Sequence, residues 1–253
     1  MAGVNAESIL VTGSNRGIGL ELVKTFLKTN PQHVFAACRN PETAQELISL
    51  ASTHQNLHII QLDVADLQSI KAAYQAVQEK LQGRGLNILI NNAGVATYKT
   101  VETSDEADMI YTYKTNTIAP MVITQEFMPL LKKAASENPA QEMSSSKACV
   151  INISSVMGSI AEVCGEFSMY LLISYRASKA ALNMLTRCQA EAYRANGILF
   201  VALHPGWVQT GMGGQGAQIS AEESVGGMME VFSKLSEKDS GTFVDWRGNT
   251  VPW

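Results

Sequence analysis

Short, unbroken apolar runs alternate with longer amphipathic stretches along almost the whole chain. The runs predict strands at Ile9–Thr12, His33–Cys38, Leu57–Leu62, Leu86–Asn91, Ala148–Ser154, Ile198–Leu203 and, from a thinner pattern, Thr242–Asp245. Continuous rather than alternating apolar residues are what parallel strands covered on both faces require. Between them, helical spacing predicts helices over Leu20–Thr29, Leu67–Gln82, Lys114–Ala135 and Tyr175–Asn196, the last stopping at Gly197, a suitable C-terminal glycine. This alternation implies right-handed crossovers and an α/β fold, a doubly wound parallel sheet of about seven strands with helices on both faces. No repeat or composition break divides the chain, so residues 1–253 read as one domain. The polar stretch 136–147, "SENPAQEMSSSK", reads as a surface loop.

Composition narrows the setting. The 253 residues are 46% hydrophobic and 17% charged, enough for one large core. A net charge of −4 argues against a nucleic-acid partner, which would demand a basic stripe. The four cysteines and four histidines form no metal-ligand spacing and no disulfide framework, so no metal is expected. No run of 18 apolar residues, no leader pattern and no C-terminal address in "VPW" is visible. A cytoplasmic protein without a membrane segment is the expectation.

The seam between the first strand and the first helix reads Thr12-Gly13-Ser14-Asn15-Arg16-Gly17-Ile18-Gly19. Glycines there let the backbone turn tightly and let a pyrophosphate approach the exposed N–H groups of the helix start. A tight turn with no ligand would use glycine too, but the strand–loop–helix context favours a dinucleotide site. Such sites place an acid roughly 20 residues on, to bind a ribose 2′-hydroxyl. Counting on from Gly19 instead reaches Arg39, in "AACRN", with no acid beside it. A guanidinium can grip a 2′-phosphate with paired hydrogen bonds, and Arg16 offers a second positive charge. NADP(H) is therefore expected over NAD(H).

Tyr175-Arg176-Ala177-Ser178-Lys179 opens the helix after the fifth strand, and residues four apart share one helix face. A phenol with an ordinary pKa near ~10 is a poor proton shuttle at neutral pH, and a fixed positive charge beside it lowers that value. Polar or glycine-bearing segments also close the neighbouring strands: Ser154-Ser155, "NNAG" at Asn91 to Gly94, and "HPGWVQT" at His204 to Thr210, with Asn116 in "YKTNTIAP". All fall at the carboxyl edge, where open α/β sheets bind ligands.

In this order, T-G-x-x-x-G-x-G, N-N-A-G, the strand-end serine, Y-x-x-x-K and P-G-x-x-x-T resemble the short-chain dehydrogenases/reductases over nearly the whole chain. The stretches "LHPGWVQTGMGG" and "GTFVDWRGNTVPW" are more narrowly similar to sniffer-type carbonyl reductases and their bacterial signalling-factor relatives. The resemblance implies a Rossmann-like sheet and a tetrad of Asn116, Ser155, Tyr175 and Lys179. Tyr175 would protonate a carbonyl oxygen as NADPH delivers hydride to the carbon. Lys179 would lower the Tyr175 pKa and bind the nicotinamide ribose, Ser155 would hold the oxygen, and Asn116 would place a proton-relaying water. Ser154 remains the alternative to Ser155. The same resemblance puts Gly13 to Gly19 on the phosphates, Asp63 and Val64 near adenine, and Asn92, Ala93 and Gly94 along the cofactor trough. The Val208 backbone and the Thr210 hydroxyl would grip the carboxamide, with Pro205 and Gly206 also against the cofactor.

Ser155 and Tyr175 stand 20 residues apart, a longer gap than is usual in the family, and Tyr170 within it is a rival phenol. Tyr170 has Ser174 rather than a lysine four residues on. Met157, the Val95–Tyr98 stretch, Trp207 and Met212 are apolar candidates for the wall of a pocket taking a hydrophobic aldehyde, ketone or quinone. Two other readings stay open. One is an NADP-dependent alcohol dehydrogenase; the other is a catalytically weak NADPH-binding sensor or signalling protein on the same fold. A homodimer or homotetramer through the helices near Lys114 and Tyr175 is compatible with the family.

Overall fold

A computed structural model describes residues 3–165, 171–214 and 216–253. Seven parallel strands form one sheet: β1 (Ser8–Thr12), β2 (His33–Cys38), β3 (Leu57–Gln61), β4 (Ile88–Asn91), β5 (Cys149–Ile153), β6 (Leu199–His204) and β7 (Thr242–Asp245). Their order is β3-β2-β1-β4-β5-β6-β7, so the chain reverses direction across the sheet between β1 and β4. A crevice opens at such a switch point, outside the carboxyl ends of the strands.

Alternation hidden inside the continuous apolar runs feeds two cores. Ile9, Val11, Ile88, Ile90, Ile151 and Val201 face one side, where α1 (Gly17–Lys28) and α7 (Ala221–Lys234) bring Leu22, Phe26, Met228 and Phe232. Leu10, Phe35, Leu89, Val150 and Phe200 face the other, against Ile70 and Val77 of α3 (Leu67–Leu81) and Phe127 and Leu131 of α5 (Ala119–Glu137). In the central strands β1, β4 and β5 every residue is thus buried whichever way it points, which is why the runs are unbroken.

Three helices lie outside the expected set, α2 (Gln45–Thr53), α4 (Glu106–Tyr113) and α7, and the long helix expected from Lys114 divides into a π turn and α5. α4 runs into this π-helical turn, Lys114–Ile118, before α5 begins. α6 (Ile173–Ala192) starts two residues before Tyr175 and ends early; a short turn, Arg194–Asn196, then leads to Gly197 at φ +69°, the left-handed position expected of it.

The segment expected to be a surface loop is partly interior. Met143, Ser145 and Lys147 are buried, the Ser145 hydroxyl donates to the Phe232 carbonyl at 2.7 Å, and the Asn87 amide donates to the Lys147 carbonyl at 2.9 Å. Its serines serve as hydrogen-bonding plugs, so polarity there signals interior partners rather than exposure. No described helix is long and apolar enough to cross a membrane.

Candidate active site

The glycine turn is held by hydrogen bonds at Thr12, Ser14 and the neighbouring Asn92 and Ala93. Gly13 and Gly17 sit at φ +64° and +56°, a region closed to most residues. At Gly19 a Cβ would lie 2.3 Å from the Gly13 carbonyl oxygen, so only glycine fits. The Asn92 side-chain amide donates to the carbonyls of Thr12 (2.9 Å) and Gly13 (3.1 Å), while the Thr12 hydroxyl accepts from the Asn92 and Ala93 N–H groups. Asn92 and Ala93 therefore brace the turn from below. Ser14 is buried and its hydroxyl donates to the Ala37 carbonyl at 3.0 Å, tying the turn to β2.

α1 starts behind Arg16 with no side-chain cap and no acid in its first turn. Its free N–H groups and its dipole favour an anion there. Asn15, Arg16 and Arg39 are exposed beside this turn and the end of β2, while Ile18 packs against the core. Past β3, the Asp63 carboxylate accepts from the Ala65 N–H at 2.9 Å, and Val64 packs on the α3 side of the sheet.

Beyond β5 the two serines part company. Ser154 donates to Asn183 Oδ1 at 2.6 Å, deep in α6, whereas Ser155 shares a hydrogen bond with the Tyr175 hydroxyl and accepts from the Met157 N–H at 3.2 Å. Gly158 presses on α6, where a Cβ would meet the Lys179 backbone at 2.7 Å, and this close approach sets Ser155 against Tyr175. Tyr170 lies outside the described residues.

Lys179 is buried, donates to the Ile153 carbonyl at 2.8 Å and stands 5.7 Å from the centre of the Tyr175 ring. Burial pulls its ammonium pKa down to about 8. Burial also raises the Tyr175 phenol, against the opposing pull of the Ser155 hydrogen bond. The phenol thus stands above its ordinary value, opposite to the lowering expected from Lys179. Tyr98 lies close enough to raise Tyr175 further.

Asn116 sits in the π turn, and such turns displace side chains from the ordinary helical row. Its amide accepts from the Val95 N–H (2.9 Å) and donates to the Val95 carbonyl (2.8 Å) and the Ser178 hydroxyl (3.0 Å). A Cβ on Gly94 would lie 3.3 Å from Asn116 Oδ1 and 3.7 Å from Lys179 Nζ, so the missing side chain leaves a cradle between them.

The strand-end segment after β6 faces this group. The Pro205 carbonyl accepts from Ser224 (2.6 Å), and Gly206 adopts φ +86° where a Cβ would strike Ile219 at 2.5 Å. Thr210 accepts from the Gly213 N–H and lies over Gly17, closing the distance between the two loops. Val208 is buried, and Trp207 donates to the Gly213 carbonyl at 2.8 Å, folding the glycine-rich loop onto its ring. The Tyr98 hydroxyl donates to the Met212 carbonyl at 2.7 Å, joining segments 114 residues apart.

The expected tetrad thus falls in one place, from three elements: the π turn, the end of β5 and α6. Several residues around it carried no signal. Thr12 and Ser178 are ordinary residues until the fold pairs them with Asn92 and Asn116. Asp108 is buried in α4, and its carboxylate accepts from Ser174, the residue before Tyr175, and from Ser104 at 3.2 Å. Among the described residues no group of three or more His, Cys, Asp or Glu could hold a metal, and the four cysteines are free.

A single parallel sheet with a glycine turn, a serine, and tyrosine and lysine four apart at one rim defines an α/β oxidoreductase architecture. The chain belongs to the short-chain dehydrogenase family, whose model matches residues 7–219. It is 53% identical to a carbonyl reductase from chicken fatty liver, crystallised with NADPH bound, with a TM-score of 0.96 over 100% of this chain and 96% of that one. The Drosophila melanogaster carbonyl reductase Sniffer is 40% identical, with a TM-score of 0.92, covering 98% and 100%. The Myxococcus xanthus C-signal is 38% identical over 169 residues, 66% of this chain and 93% of its own. The resemblance to sniffer-type proteins seen in the sequence is met on both counts, sequence and fold.

Proposed function

We propose that this protein reduces the carbonyl group of an apolar aldehyde, ketone or quinone with NADPH. One observation carries the reading: the Ser155 and Tyr175 hydroxyls share a hydrogen bond while the buried Lys179 ammonium faces the same phenol ring. The cofactor fits this chain's own features. The uncapped start of α1 and the glycine turn suit a pyrophosphate, the Gly94 cradle leaves room along the trough, and Arg39 with Arg16 suits a 2′-phosphate. The chicken relative binds NADPH, in the same direction.

When bound, NADPH supplies the hydride. Tyr175, held protonated by burial, donates its proton to the carbonyl oxygen as negative charge develops there. Ser155 donates to that oxygen and fixes its position. Lys179, mostly cationic at pH 7 with a pKa of about 8, stabilises the phenolate left behind. Its tie to Ile153 prevents it from swinging away. Asn116 holds the π turn open beside Lys179, where a water would return the proton. Met157, Tyr98, Trp207 and Met212 form the apolar walls that select the substrate.

Purified protein, an aromatic ortho-quinone and either NADPH or NADH test the reading by loss of reduced-nicotinamide absorbance. NADPH is expected to be oxidised, and Tyr175→Phe is expected to slow turnover roughly 10²- to 10⁴-fold. NADPH that binds without being consumed would leave the sensor reading in its place.

A further inference from the structure

Tyr175 occupies the first turn of α6, and that turn is poorly anchored by its own chain. Leu172 at its start supplies no side-chain cap, and the helix follows the long excursion after Ser155 rather than a strand. First turns fray unless something fixes them. Yet a proton donor must hold its place to well under 1 Å.

Asp108 touches this turn from outside. Its N–H is already held by the Asp105 cap at 2.8 Å, and its carboxylate is buried. None of the ion pairs among the described residues includes it. A carboxylate placed merely to favour the α4 dipole would face solvent, where it costs less. Instead one oxygen accepts from both Ser174, 66 residues away, and Ser104, whose two hydroxyls lie 3.3 Å apart. Burial pushes the Asp108 carboxyl up, but hydrogen bonds from Ser174, Thr97 and Ser104 outweigh it, and the group stays below the usual carboxylate range. The bonds to an ionised acceptor are the strong kind. Ser104 closes the segment that carries Tyr98 to the mouth and begins at Val95, the partner of Asn116.

We infer that Asp108, acting through Ser174, is a positioning residue for Tyr175: it pins the first turn of α6 so that the phenol stays on Ser155. The inference rests on the reading of Tyr175 as proton donor. Four variants test it: Ser174→Ala, Ser174→Thr, Asp108→Asn, and Ser104→Ala as a change on the loop side alone. Ser174→Ala and Asp108→Asn are expected to lower kcat by about tenfold to a hundredfold, the scale of a misplaced catalytic group. NADPH affinity should stay within about twofold, and Ser174→Thr, which keeps the hydroxyl, should recover most of the rate. Ser104→Ala, which leaves the Ser174 bond to Asp108 in place, should lower kcat less than Ser174→Ala, and an equal or larger loss would move the effect from α6 to the loop and count against the inference.

A second readout does not depend on turnover. In protein carrying ¹³Cζ-tyrosine, the resonance lost in Tyr175→Phe reports the phenol. Ser174→Ala should move its titration upward, because loosening the Ser155 hydrogen bond removes a stabiliser of the phenolate. Unchanged titration, with kcat unchanged or falling only in step with NADPH affinity and melting temperature, would reduce Asp108 to a structural role and overturn the inference. If the parent protein consumes no NADPH, the carbonyl-reductase reading fails on its own, and the titration still decides whether Asp108 positions Tyr175.

Discussion

The two halves of the site are built on opposite principles. Around β1 and α1 the working groups are backbone N–H groups, and side chains serve them: Thr12, Asn92 and Ser14 spend their hydrogen bonds holding the turn in shape. Around β5 and α6 the working groups are side chains, and backbone serves them: the Ile153 carbonyl holds Lys179, and Val95 holds both ends of the Asn116 amide. A turn of exposed N–H groups needs no titratable group of its own, because an anion bound there would bring its own charge. The second must bury an ammonium and a phenol together, and both are displaced from their ordinary pKa values by that burial. Binding tolerates exposure; proton transfer demands desolvated, fixed groups.

Breaking one half should leave the other intact. After the loss of turnover expected for Tyr175→Phe, the next largest effect belongs to Gly19→Val. Its Cβ would collide with the Gly13 carbonyl and the Asn92 amide, so the turn must shift. Losing one or two hydrogen bonds to a phosphate costs about 1.5–3 kcal/mol each, so the dissociation constant for NADPH should rise roughly 10- to 100-fold or more. Titration calorimetry reads this directly, and binding within threefold of the parent would refute the account of the turn.

Lys179→Met sharpens the contrast from the other side. It should remove most activity while raising stability at pH 7, since the ammonium is buried at a cost. The sign follows from its lowered pKa. Below about 8 the folded state carries a charge it would rather lose, and the penalty disappears as pH rises from about 8 toward the unfolded value of 10.5. A melting temperature about 2–4 °C above the parent at pH 7, converging near pH 10, is the expected result. Equal or lower stability at pH 7 would contradict it. Reduction by the parent protein should correspondingly decline as pH climbs past about 8.

Arg39→Ala should act on cofactor choice alone, raising the KM for NADPH about tenfold and leaving that for NADH unchanged, as one charge-assisted contact is removed. Equal changes for both would place Arg39 away from the 2′-phosphate.

The smallest effect concerns stability in acid. His204, at the end of β6, is half-buried, its enclosed Nδ1 lacks a partner, and desolvation lowers its pKa to about 4, against the opposing pull of Asp245. The unfolded chain binds this proton near 6.5 and the folded protein only near 4, so stability should fall as pH drops through that window. His33 and His58, tilted against each other and hydrogen-bonded at 3.0 Å on β2 and β3, are lowered by burial too and add to the loss. Thermal melts between pH 7 and 4, with His204→Gln showing a shallower slope, check this.

Legibility in the sequence followed the range of the interactions. The sheet, its parallel sense and the glycine turn come from contiguous residues, where apolar runs and backbone freedom are local properties. The tyrosine and lysine are readable because helical spacing is local too. α2 and α7 escaped notice because their apolar stripes are narrow and broken, by serine and threonine in one and a glycine pair in the other. The π turn that sets Asn116, the interior serines of the 136–147 segment and the division of labour between Ser154 and Ser155 depend on partners far along the chain.

Sequence alone therefore determined the architecture, the glycine turn at β1–α1 and the residue types gathered at the candidate site. Only the tertiary structure decided which serine faces the phenol, how Lys179 is held, and that a buried carboxylate 67 positions before Tyr175 reaches the turn that carries it. The physical reason is the same in each case. Periodicity and glycine report what a residue does to its own backbone, whereas desolvation and hydrogen-bond pairing report which distant groups share a few ångströms of space.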